Sequence, residues 1–153
     1  MNSKPSEMVL RPIGFVRNAI TDKSPRQNWE EVISEIIIQP ELSEALDNLD
    51  DFSHIIVLFW TLRNQKVNYK VHPRGSPDLP LVGILATRSP NRPNPVANTT
   101  VELLERHANI LRVRGLDAFD GTWVIDIKPY LPGYDSVGKA RIAGWAKERP
   151  PKS

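Results

Sequence analysis

Along this chain, apolar residues recur at the spacing of short strands far more often than at that of helices. Val9 to Val16 reads as the first strand, interrupted by Pro12. Val32 to Ile38 reads as a second, with one face that tolerates polar residues. Pro40 to Leu49 changes period. Its apolar positions Leu42, Ala45, Leu46 and Leu49, with proline at the start and acids in the first turn, predict a short helix. Ile55–Trp60 and Leu81–Thr87 predict buried strands. Thr100–His107 fits helix or strand. Strand is favoured because Ala108-Asn109 then makes a hairpin-like turn into Ile110–Gly115. Asp120-Gly121 signals a further turn, and Gly121–Lys128 alternates after it. Six or seven short strands separated by turn residues predict a mainly β, single-domain barrel or sandwich with one short helix and long loops.

Bulk properties narrow the function. The 153 residues suffice for one domain, with no internal repeat. The longest apolar run, His54–Trp60, is strand-sized and too short to span a bilayer. The first seven residues lack the apolar region of a signal peptide, so cytoplasmic residence is the expectation. Residues 1–8 and 147–153 are expected to be flexible around a domain spanning 9–146. There is no cysteine, which removes disulfides, thiolate zinc sites, iron–sulfur clusters and a cysteine nucleophile. His54, His72 and His107 lack ligand spacing, so no metal is expected. A net charge of +2 argues against a strongly basic nucleic-acid module. Any RNA contact must come from a local cluster, for which Arg88, Arg92, Arg112, Arg114, Lys128, Lys139 and Arg141 are available.

The most distinctive segment is Ala86-Thr-Arg-Ser-Pro-Asn-Arg-Pro-Asn-Pro95. Its prolines forbid a helix interior, and each residue before a proline is pushed toward extended geometry. It is a stiff loop carrying arginine and asparagine, suited to ligand binding because little ordering entropy remains to be lost. A solvated connector is the plainer alternative. Leu116-Asp-Ala-Phe-Asp-Gly-Thr122 joins two strands, either as an ordinary hairpin loop or as a turn whose backbone N–H groups bind an adenine edge or a carboxylate. Asp126 and Lys128 share one strand face, ahead of Tyr130, Tyr134 and Asp135. There is no phosphate-cradling glycine loop, nucleophile elbow or glycine-rich dinucleotide fingerprint.

Taken in order, the proline loop, Leu116-Asp-x-x-Asp-Gly-Thr122 and Asp126-Ile-Lys-Pro-Tyr130, with Ile13-Gly14, Pro25-Arg-Gln27 and Phe52-Ser-His54, resemble the TsaA-like family. Its characterised members are TrmO-type tRNA methyltransferases. The resemblance runs from Ile13 to Asp135, and its first two motifs are highly specific. It implies an S-adenosylmethionine-binding β-barrel unlike the Rossmann-type methyltransferases. It also implies a homodimer, and methylation of the N(6) nitrogen of threonylcarbamoyladenosine beside the tRNA anticodon. It assigns cofactor contacts to Pro25, Arg26, Gln27, Leu62, Arg63, Arg88, Thr100, Leu116, Asp117, Ala118 and Phe119. Leu62 stands where many relatives carry histidine, Ala97 where glycine is usual, and Asn98-Thr99-Thr100 in place of a more apolar run. Longer relatives carry a C-terminal domain that this chain lacks.

A carbamoylated exocyclic nitrogen needs an acceptor for its proton, for which Asp126 and Asp135 are candidates. Arg92, Asn94, Lys128 and Tyr130 are expected to face phosphate or base. Two other functions fit the same residues: an S-adenosylmethionine-binding sensor or accessory module that methylates nothing, and a methyltransferase acting on a small molecule.

Overall fold

The computed structural model describes residues 4, 6–61 and 66–147. Six antiparallel strands close into a barrel: β1 (Gly14–Arg17), β2 (Ile33–Ile38), β3 (His54–Trp60), β6 (Val96–His107), β7 (Ile110–Arg114) and β8 (Trp123–Pro129), in the order β1-β2-β7-β6-β3-β8. A separate two-stranded ribbon is made by β4 (Lys70–Val71) and β5 (Val82–Gly83). The mainly β, barrel-shaped expectation is met.

Alternation builds the core. Val16, Ile36, Ile38, Ile55, Val57, Val101, Leu111, Val113 and Val124 point inward and are 0 or 1% exposed. Each contributes roughly 1.5–3 kcal/mol by leaving water. The outer face carries ion pairs between residues opposed in the ladder: Arg17–Glu35 at 2.7 Å, Arg114–Glu102 at 2.8 Å and Arg112–Glu105 at 3.5 Å. β8 departs from clean alternation, because a bulge opposite Leu58 and Phe59 leaves Ile125 without a register partner.

Three local expectations are corrected. The first strand begins at Gly14 and not at Val9. Pro12 offers no donor, and the chain that would pair with Val9 has turned away at Gln39, whose Nε2 holds the Pro12 carbonyl at 2.7 Å. The run from Pro40 is not an α-helix. It is two 3₁₀ segments, Pro40–Leu46 and Leu49–Asp51, separated by Asn48 in left-handed geometry. Leu46 is buried and Leu42 and Leu49 are packed against the core, so the apolar spacing was real but serves a wrap across the barrel end. Leu81–Thr87 is strand only at Val82–Gly83 and then a 3₁₀ turn, Ile84–Ala86, closed by Thr87 Oγ1 on the Ile84 carbonyl at 2.8 Å. Ile84 alone of its leucines and isoleucines is buried; Leu81 and Leu85 are exposed. The single α-helical turn among the described residues is elsewhere, at Pro132–Asp135.

Antiparallel order decides where the loops meet. Connections 18–32, 61–95 and 115–122 leave strands at one end of the barrel, while 39–53 and the Ala108-Asn109 turn lie at the other. Arg106 ties the second end shut through Asp47 at 3.0 Å and the Ser43 carbonyl at 3.0 Å. The first end stays open.

Candidate functional site

A cavity of about 770 Å³ occupies that open end. All three long connections line it, with Trp29 from the first, Thr61, Arg88, Ser89, Pro90 and Arg92 from the second, and Asp117 to Phe119 from the third. The floor is the start of β6, from Val96 to Thr100, together with Phe59.

The third connection is held from below. Asn18 Nδ2 donates to the Ala118 carbonyl at 3.0 Å and to Ser34 Oγ at 2.9 Å. Asp120 accepts the Asn18 amide at 3.0 Å and gives its own amide to Ile20. Gly121 completes the turn with φ of 79°, a conformation that favours glycine. These bonds use the amides of Asp120, Gly121 and Thr122, while Asp117 and Ala118 line the cavity. Thr99 Oγ1 donates a hydrogen bond to Asp117 Oδ1, fixing the carboxylate at the wall. Phe119 meets Trp29 with ring centroids 5.8 Å apart, tilted by 60°.

The proline loop holds its own shape. Arg92 Nη1 donates to the carbonyls of Thr87 at 2.8 Å and Ser89 at 3.1 Å, so this guanidinium braces the loop as well as lining the cavity. Arg88 reaches the other way, with Nη2 on Asn98 Oδ1 at 3.1 Å and on the Asn98 carbonyl at 3.3 Å. The arginine therefore links the loop to the barrel floor.

Of the cofactor contacts expected from the sequence, Arg88, Thr100, Asp117, Ala118 and Phe119 lie together in the cavity lining, as does Arg92. Pro25, Arg26 and Gln27 are not in the lining; Gln27 Nε2 closes on the Pro25 carbonyl at 2.7 Å, and the same loop reaches the cavity through Trp29. Leu116 is fully buried in the barrel core instead. Leu62 and Arg63 lie outside the described residues, as does the tail beyond residue 147. Asn94 is outside the lining, its carbonyl accepting the Val96 amide at 2.7 Å.

The proposed proton acceptors and the remaining substrate-facing residues lie elsewhere. Asp126 pairs with Lys128 at 2.8 Å on the barrel wall. Asp126 bonds and attracts the ammonium, which raises the Lys128 pKa above its ordinary 10.5. Lys128 stands opposite Ile56, and the Tyr130 amide bonds His54, toward the closed end of the barrel. Asp135 Oδ2 accepts the Leu131 amide at 2.8 Å and caps its own turn. The lining residues that the sequence reading did not connect with the site are Trp29, Phe59, Thr61 and Val96. Ala97 and the polar run Asn98-Thr99-Thr100, noted in the sequence as departures from the family pattern, also line the cavity. Among the described residues no three His, Asp or Glu side chains could hold a metal ion, and no helix is long and apolar enough to cross a membrane.

A closed antiparallel barrel with a polar, aromatic-rimmed cavity at its loop end defines a small-molecule-binding β-barrel. Residues 18–136 match the tRNA-methyltransferase O N-terminal domain, and the chain belongs to that family. A probable S-adenosyl-L-methionine-binding protein of Methanothermobacter thermautotrophicus is 47% identical over 135 residues, covering 86% of this chain and 96% of the relative. A protein of the same description from Archaeoglobus fulgidus is 44% identical over 148 residues, and there the match spans 94% of this chain but 39% of the relative. The tRNA (adenine(37)-N6)-methyltransferase of Mus musculus is 34% identical over 141 residues, which span 84% of this chain and 32% of the mouse protein. Among solved structures, TrmO from Pseudomonas aeruginosa superposes with a TM-score of 0.76 at 32% identity, over 95% of this chain and 65% of that one.

Proposed function

We propose that the chain binds S-adenosylmethionine in the cavity at the open end of the barrel and directs its methyl group to the N(6) nitrogen of threonylcarbamoyladenosine in tRNA. The observation that carries this reading is the convergence of three kinds of group on one cavity: the Arg88–Asn98 pair, the Asp117–Ala118 turn, and the Trp29–Phe119 rings. The residues fit the cofactor's chemistry. Turn amides and tilted rings suit the edge and face of an adenine. A fixed carboxylate at Asp117 suits hydroxyls or an ammonium, and Arg88 suits a carboxylate.

When bound, the cofactor supplies a methyl already activated on a sulfonium sulfur. The protein's share is then placement: the braced proline loop and the anchored third connection hold the walls, so an incoming nitrogen meets a preformed site. Asp117 is the one carboxylate among the described lining residues, and it already holds the Thr99 hydroxyl. The substrate assignment is supported by the name of the mouse relative and by the family. Cytoplasmic residence goes with it.

A homodimer is part of the same proposal. Phe15, Trp123, Trp60 and Val96 are opposed in sequence across β1, β8, β3 and β6. Phe15, Trp123 and Val96 are 43%, 52% and 37% exposed, an apolar row beside the cavity mouth that a second copy would cover.

The reading is tested by incubating the protein with methyl-labelled S-adenosylmethionine and tRNA that carries or lacks the threonylcarbamoyl group. Label is expected in RNA only when the group is present. Cofactor binding by calorimetry with no label in either RNA would favour a binding module without methyl transfer. The position of Asp126 and Asp135 outside the cavity lining is the observation that favours that second reading.

A further inference from the structure

Behind the proline loop lies a second cavity, of about 800 Å³, between the β4–β5 ribbon and the Gly144–Ala146 turn. Arg88, Ser89 and Pro90 form a wall common to both cavities. Lys70, Arg74 and Arg88 bring three cations to the second cavity's lining with His72 beside them, and no Asp or Glu is among its described lining residues. The remaining large group is Trp145, half-buried, whose backbone carbonyl accepts from Arg74 Nη2 at 3.2 Å. Arg74 itself sits in left-handed geometry, with φ of 57°, an uncommon conformation for a residue bearing a side chain.

A recessed site that joins an indole to several cations has the chemistry for one anionic unit with a flat apolar face. A nucleotide of single-stranded RNA is that unit: its base stacks on an aromatic ring and its phosphate takes the cations. We propose that this second cavity seats a nucleotide flanking the methyl acceptor, with Trp145 against the base and Lys70 toward the phosphate. The inference rests on the methyltransferase reading for the identity of the RNA. The shared proline-loop wall then separates the cofactor from the neighbouring nucleotide, and Arg88 borders both.

The test measures binding of a fluorescent anticodon stem-loop RNA by anisotropy, alongside calorimetry with S-adenosylmethionine, for wild type, Lys70→Ala, Trp145→Ala and Trp145→Phe. Trp145→Ala is expected to weaken RNA binding about tenfold, or 1.4 kcal/mol. Lys70→Ala should weaken it severalfold and flatten its salt dependence. Trp145→Phe should recover most of the loss, and cofactor affinity should stay at the wild-type value throughout. Wild-type RNA affinity in Trp145→Ala and Lys70→Ala, with methyl transfer to tRNA intact, overturns the subsite and leaves the function standing. No RNA binding by the wild type overturns both. Displacement of RNA by an acidic peptide, but not by a nucleoside monophosphate, would also overturn the subsite and assign the cavity to a protein segment.

Discussion

At the scale of single residues, the two arginines of the proline loop have different duties although they stand four positions apart. Arg92 is turned back on the carbonyls of Thr87 and Ser89, whereas Arg88 crosses to Asn98 and borders the cavity where the cofactor is proposed to lie. Arg88→Ala should therefore leave the fold intact and weaken S-adenosylmethionine at least about tenfold, near 1.4 kcal/mol. Calorimetric titration checks this, and unchanged affinity in a folded variant removes Arg88 from the site. Lys128 gives the opposite expectation. Its ammonium is committed to Asp126 on the outer wall, away from the cavity lining. Lys128→Ala should leave cofactor affinity and methyl transfer at wild-type levels in steady-state assays. Because Asp126 raises the Lys128 pKa, whatever this pair adds to stability is fully present below 10.5 and is lost as pH climbs through the raised value. Thermal melts of wild type and Lys128→Ala should thus converge as the buffer becomes strongly alkaline, with any difference at neutral pH small for so exposed a pair.

Among the elements, β1 is the shortest barrel strand and yet pairs on both sides. Its entry is Gly14, where a Cβ would fall 2.2 Å from the Ile37 carbonyl oxygen. Gly14→Ala must push β1 off β2, at a cost of roughly 1–3 kcal/mol or more. Urea denaturation should show a lower midpoint, and an unchanged midpoint would mean the ladder has more slack than its spacing indicates. The barrel strands were legible in the sequence because their inward residues leave water: β2, β3, β7, the Thr100–His107 part of β6 and most of β8 were readable from alternation or from turn residues at their ends, whereas β6 starts earlier, at Val96. The ends of β1 and the run at Leu81 were not. There, apolar residues such as Val9 and Leu85 stay exposed, and strand formation depends on whether a neighbour offers its backbone. The Pro40 run misled through period alone, since a 3₁₀ wrap that buries Leu46 can show helical spacing. Half of the site was legible through the proline loop and the Leu116–Thr122 turn. Trp29 and Thr61 were hidden, because their place depends on which connections share a barrel end, and that follows from strand order.

For the molecule as a whole, a homodimer is the expectation that the exposed apolar row supports. Light scattering at micromolar concentration with S-adenosylmethionine present should give twice the 17.3 kDa chain mass. Trp123→Glu, which puts a charge in the middle of the row, should shift the mass toward the monomer without unfolding the barrel. A monomer mass for the wild type would sink the dimer. Closure of the six strands carries a separate consequence. Each barrel strand has a hydrogen-bonded neighbour on both flanks over part of its length, so no whole barrel strand is left as an edge onto which an extended peptide or another chain's strand could be added end to end. Recruitment by addition along a full barrel strand is closed to it. Partners must instead meet side chains, or dock on the small β4–β5 ribbon.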